Sequence, residues 1–109
     1  MSTIRAIIPA AGKGSRLQKV CGDLPKAMFS VGNKPMLEYV LDNISFIDKN
    51  DTYIVVGYGK EKIIDYFGDD YCYIEQKQQL GTGHAVMECA SEFENFEGSV
   101  LITFGDMPL

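Results

Sequence analysis

The apolar positions of this chain fall into short runs separated by polar, glycine-bearing stretches. Ile4 to Pro9 is a β-branched apolar run and predicts a buried strand. Leu37, Val40, Leu41, Ile44 and Ile47 recur at helical spacing, an apolar stripe that predicts a helix against a core, with Pro35 suited to its first position. Thr52 to Val56 predicts a second strand, closed by Gly57-Tyr58-Gly59. Glu61 to Phe67 predicts a short helix with Ile63, Ile64 and Phe67 inward, stopped by Gly68. Tyr71 to Glu75 predicts a third strand. Thr82 can cap a following helix with Val86, Ala90 and Phe93 as its apolar positions. Ser99 to Phe104, apolar except at Ser99 and Thr103, predicts a fourth strand.

Strands alternating with helices imply βαβ units and a mostly parallel sheet. Non-alternating apolar strands imply helices on both faces. In such sheets ligands bind beyond the carboxyl ends of the strands, so the residues after each strand carry the information: 10–17, 57–59, 76–83 and 105–108. Residues 10–34 read as one long loop with room for a helical turn, and a loop of that length in a compact domain is usually functional.

Length and composition narrow the classes. A chain of 109 residues is one domain at most, and no apolar run approaches the roughly 20 residues that span a bilayer. With no convincing secretory signal, the expected location is the cytoplasm. Cys21, Cys72 and Cys89 are widely spaced and odd in number, which argues against a disulfide framework or a zinc site. The net charge of −5 conceals an asymmetry: residues 1–34 carry six basic side chains and one acidic, the remainder four basic and fourteen acidic. That balance suits one compact anion held locally and not general binding of nucleic acid.

Four constellations could hold such a ligand. After the first strand, Gly12 and Gly14 let backbone amides approach an anion, while Lys13 and Arg16 add charge. Leu17 stands where the dinucleotide fingerprint needs its third glycine, and the P-loop pattern is absent. In Leu24-Pro25-Lys26 the proline restrains the loop before a lysine that could reach a phosphate. In the stretch from Gln76 to His84, glutamine amides suit the edge of a base, and Gly81 and Gly83 permit close approach to a flat ring. His84 reads as structural more than catalytic. Asp106, just after the fourth strand, offers a carboxylate for Mg²⁺. Singly, each has an ordinary structural explanation as a turn or a surface charge.

Together they resemble the amino-terminal half of the sugar-1-phosphate nucleotidyltransferase domain. The matching residues occur in order: Ala10-Ala11-Gly12-Lys13-Gly14-Ser15-Arg16-Leu17, Leu24-Pro25-Lys26, Gly32-Asn33-Lys34-Pro35-Met36, Leu80-Gly81-Thr82-Gly83-His84-Ala85 and Gly105-Asp106-Met107-Pro108-Leu109. Within that family the fourth segment looks most like the bacterial N-acetylglucosamine-1-phosphate uridylyltransferases. The resemblance implies a Rossmann-like, three-layer α/β/α fold, here a truncated domain in which residues 1–109 form the nucleotide-binding part. It implies transfer of UMP from UTP to a sugar-1-phosphate with release of pyrophosphate. Ala10, Ala11, Gly12, Lys13 and Gly14 would bind the nucleotide, with Gly12, Gly14 and Arg16 holding the triphosphate. Lys26 would neutralise charge near the reacting phosphate, Arg16 and Lys26 being the catalytic residues. Gln76, Gln79, Gly81 and Thr82 would contact base and ribose, and Asp106 would ligate Mg²⁺. Two alternatives stay open: a non-catalytic nucleotide-binding or assembly module of the same fold, and a cytidylyl- or thymidylyltransferase for another phosphorylated substrate. The family domain is roughly twice as long, so an uncovered sheet edge and self-association are expected.

Overall fold

The computed structural model describes residues 4–11, 26–57, 59–78 and 82–104, with Lys26, Val31 and Thr82 by their backbone alone. Strand β1 (Ile4–Pro9) lies inside a four-stranded sheet with β4 (Thr52–Val56), β5 (Cys72–Glu75) and β6 (Ser99–Ile102). Every pairing in that sheet is parallel and the order is β5-β4-β1-β6. The chain thus adds β4 and β5 on one side of β1, then returns to place β6 on the other. That reversal makes a switch point between β1 and β6, where open α/β sheets leave a crevice at the carboxyl ends.

Alternate strand residues feed two cores, as a pleated sheet covered on both faces requires. Ala6, Ile8, Ile54 and Val56 pack with helix α1 (Met36–Asn43) and with Ile63 of helix α2 (Lys60–Phe67). Ile7, Tyr53 and Val55 pack on the opposite face with Ala85 and Cys89, from helix α3 (Thr82–Glu88) and its end. The architecture is the expected three-layer α/β/α arrangement.

The helix stripe is buried as expected: Leu37, Val40, Leu41, Ile44 and Ile47 all belong to the first core. The helix itself is shorter than the stripe. It ends at Asn43, and the turns after it carry Ile44 and Ile47 inward. Pro35 is not its first residue. It is extended, at φ −62° and ψ 150°, and closes the two-residue strand β3 (Lys34–Pro35). That strand pairs antiparallel with β2 (Ser30–Val31) around Gly32-Asn33, an ordered ribbon inside a stretch that reads as plain loop. The ribbon is too short for an alternating pattern to show.

At α2 the expected stop holds: Gly68 takes φ 87°, a conformation that side chains resist, and its N–H reaches back to Ile64 O at 2.8 Å. Strand β5 begins at Cys72, one residue later than expected. Thr82 stands in the first turn of α3 and is not its cap. The buried register of this segment is Ala85 and Cys89; Ala90 is exposed, because the helix gives way at Ala90–Phe93 to a 3₁₀ turn of tighter pitch. Strand β6 ends at Ile102 and is exposed along its length, as the edge position dictates, in contrast to the buried strand expected.

Candidate functional site

Three strand ends converge at the carboxyl edge of the sheet. Ala10 N–H donates to Val55 O at 2.8 Å, so the chain leaving β1 stays tied to β4. Gln76 N–H donates to Val56 O at 2.7 Å and ties the exit of β5 to the same strand. Between them lies Gly57. A Cβ there would meet Gln76 O at 3.0 Å and the Ala11 Cβ at 3.1 Å, closer than side chains ordinarily sit. The absence of a side chain at Gly57 lets the backbones after β1 and β5 approach each other. Ala10 and Ala11 are themselves buried. On the other side of β1, Thr103 N–H donates to Ile7 O at 3.2 Å, so the chain after β6 leaves the sheet beside the loop that begins at Ala10.

Gln76 is the polar side chain built into this edge. It is only 5% exposed, and its Nε2 lies 2.9 Å from Nδ1 of His84 on α3. Two segments joined by the stretch 77–83 are thereby clamped across the mouth of the sheet. His84 Nε2 faces the Glu88 carboxylate, 3.8 Å away. At the outer flank Lys60 Nζ pairs with Glu75 Oε1 at 3.3 Å.

Lys26 opens a 3₁₀ turn, Lys26–Met28. The next three residues, Ala27, Met28 and Phe29, are buried, and Phe29 O accepts the Met36 N–H at 2.9 Å. The turn that carries Lys26 is therefore anchored to the start of α1. Gly12, Lys13, Gly14, Arg16, Gln79, Gly81 and Asp106 lie outside the described residues. Of the sequence-predicted site residues, the structure brings Ala10, Ala11 and Gln76 to one edge and places Thr82 at the start of the helix that bears His84.

The basic first third divides on inspection. Arg5 and Lys34 are not available to an anion at this edge. Arg5 lies near the start of β1, on the face that α3 covers, stacked on Phe96 at 4.4 Å, Phe93 at 5.4 Å and Tyr53 at 5.5 Å, and donates to Glu92 O at 2.8 Å. Lys34 pairs with Asp42 at 2.5 Å, and that hydrogen bond raises its pKa above the usual lysine value. A cavity of about 400 Å³, lined in part by Glu38, Asp42, Tyr66, Phe67 and Tyr71, opens beside Thr52, at the amino end of β4 and away from this edge. Among the described residues no cluster of histidine, cysteine and carboxylate side chains could hold a metal ion. No described helix is long and apolar enough to cross a membrane.

Sequence reasoning passed over the close approach at Gly57 and the partner of Gln76. The signal for the first is a glycine directly after a buried strand; for the second, a histidine in the first turn of the helix that follows the glutamines.

Comparison with known proteins gives this edge a context. A family described as the MobA-like NTP transferase domain matches residues 6–109. The chain is 42% identical over 109 residues to the bifunctional protein GlmU of Symbiobacterium thermophilum, covering 99% of this chain and 22% of that protein. It is 39% identical over 108 residues to the bifunctional protein GlmU of Neisseria gonorrhoeae, covering 99% of this chain and 23% of that one. The chain thus spans less than a quarter of these curated relatives. Among solved structures, the CTP:phosphocholine cytidylyltransferase of Streptococcus pneumoniae superposes with a TM-score of 0.77 at 28% identity, over 95% of this chain and 45% of that one. A UDP-glucose pyrophosphorylase from Acinetobacter baumanii superposes with a TM-score of 0.81 at 24% identity, over 97% and 46%, a likeness of fold.

Proposed function

This chain belongs to the MobA-like NTP transferase domain family, and from that premise we propose that it forms the nucleotide-gripping part of a uridylyltransferase. In the proposed reaction an oxygen of a sugar-1-phosphate, such as N-acetylglucosamine-1-phosphate, attacks the α-phosphorus of UTP. A new P–O bond forms, the bond to the β-phosphate breaks, and pyrophosphate leaves with the electron pair. Such a reaction asks the protein for positioning and charge neutralisation more than for covalent chemistry.

The observation that carries the reading is the convergence of Ala11, Gly57 and Gln76 at the carboxyl edge of the sheet. In the proposal the loop from Ala10 through Gly12, Lys13 and Gly14 cradles the triphosphate. Arg16 and Lys26 neutralise charge at the reacting phosphates. Gln76, Gln79, Gly81 and Thr82 contact base and ribose. The carboxylate of Asp106 fits a hard divalent cation such as Mg²⁺, whose contribution when bound is to offset negative charge on the phosphates.

The likeness of the Leu80–Ala85 segment to N-acetylglucosamine-1-phosphate uridylyltransferases favours uridylyl transfer; the likeness to a CTP:phosphocholine cytidylyltransferase supports CTP as the second reading. A thermal-shift panel of UTP, TTP and CTP with Mg²⁺ separates them. Selective stabilisation by UTP is expected, selective stabilisation by CTP replaces the first reading with the second, and no shift with any nucleotide overturns both.

A further inference from the structure

We propose that His84 is a positioning residue: it holds the Gln76 carboxamide in one of its two flipped orientations and so sets which pyrimidine the site accepts. The inference rests on the reading of Gln76 as a base contact.

A glutamine carboxamide has nearly the same shape when its oxygen and nitrogen exchange places, and its terminal torsion has no strong preference. Something outside the side chain must choose. Gln76 Nε2 can only donate, so at 2.9 Å the His84 Nδ1 is the acceptor. The ring is then neutral with its proton on Nε2, which faces the Glu88 carboxylate at 3.8 Å, an electrostatic partner too distant for a hydrogen bond. With the nitrogen committed to His84, the position of Oε1 follows.

The choice bears on recognition because the two pyrimidines differ in polarity. Uracil presents N3–H as a donor between two carbonyl acceptors, whereas cytosine presents an exocyclic amino donor beside an N3 acceptor. A carboxamide of fixed orientation matches one pattern and sets like against like with the other. Gln76 is 5% exposed, so water cannot repair a mismatch readily. A buried mispaired polar group weakens binding about ten- to a hundredfold.

The test is calorimetric titration of the full chain with UTP, CTP and pyrophosphate, each with Mg²⁺, alongside ¹⁵N NMR of the imidazole. Wild type should prefer UTP. His84→Ala should lower the UTP-to-CTP affinity ratio about tenfold or more while leaving pyrophosphate binding in place. His84→Asn should restore the ratio, because its Oδ1 can take the place of Nδ1 as acceptor; a merely structural role would not be rescued this way. An unchanged ratio in His84→Ala, or no rescue by His84→Asn, overturns the positioning role and leaves the base-site reading standing. A wild type that binds neither nucleotide overturns both. The spectra decide independently of any variant's folding: an unprotonated Nδ1 is expected, and a protonated Nδ1 overturns the proposal.

Discussion

A Cβ on Gly57 would stand 3.1 Å from the Cβ of Ala11, with Gln76 O at 3.0 Å on its other side. Backbone has little room to yield there, and overpacking of a tight site typically costs about 1–3 kcal/mol. Gly57→Ala should fall in that range, and Gly57→Val should cost more. Urea denaturation monitored by circular dichroism checks both; a midpoint unchanged in Gly57→Val would show that the strand ends are not close-packed in solution.

Arg5 belongs to the frame and not to the anion site. Its guanidinium lies against three rings and donates to Glu92 O. Arg5→Lys keeps the charge but loses the planar stack and should destabilise the fold by about 1–2 kcal/mol. Triphosphate affinity, measured by calorimetry below the melting temperature, should stay within twofold of wild type. A large loss of affinity with unchanged stability would return Arg5 to the binding surface.

Alkaline pH should unfold the chain more readily than neutral pH. Burial pushes the Cys89 thiol up to about 11 and the Tyr73 phenol up to about 12. Each group holds its proton more tightly folded than unfolded. Their contribution is therefore complete below the unfolded values, near 9 and 10, and is lost as pH rises through the folded ones. Melting temperature should fall between about pH 9 and pH 12, and Cys89→Ala should flatten the lower part of that decline. At pH 8 iodoacetamide should label Cys89 on the order of a hundredfold more slowly in the folded chain than in urea.

The outer edge of the sheet should support association. Val100, Leu101, Ile102 and Phe104 are between 37% and 47% exposed, and Phe46 is 70% exposed beside a shallow apolar hollow that Leu101 also lines. Unpaired strand edges with apolar side chains recruit further strands. Light scattering should show oligomers at high concentration, and Ile102→Lys should shift them toward monomer. A wild-type monomer at millimolar concentration would count against an adhesive edge.

The legible part of the fold was the part with long, uninterrupted patterns. Ile4–Pro9 and Thr52–Val56 match their strands residue for residue, because a mostly apolar, β-branched segment of five or six residues points to a buried strand. The ribbon at Ser30–Val31 and Lys34–Pro35 was illegible, since two residues per strand carry no period. The inward face of α3 was misread at Ala90 because the change of pitch after Glu88 leaves no mark in composition. At the site, Gln76 was visible as a residue type suited to a base. The pairing with His84 was not, because it depends on how the stretch between them folds back.

The strand order carries a consequence for biosynthesis. β1 is translated before both of its sheet partners, β4 and β6, and each lies far along the chain from it. Parallel pairings of such sequence separation raise the contact order and slow folding. A nascent chain can seat β1 against β4, and β5 against β4, early, but one flank of β1 stays open until β6 has been translated. For that interval the apolar edge of β1 is the place where a chaperone, or another nascent chain, would find it.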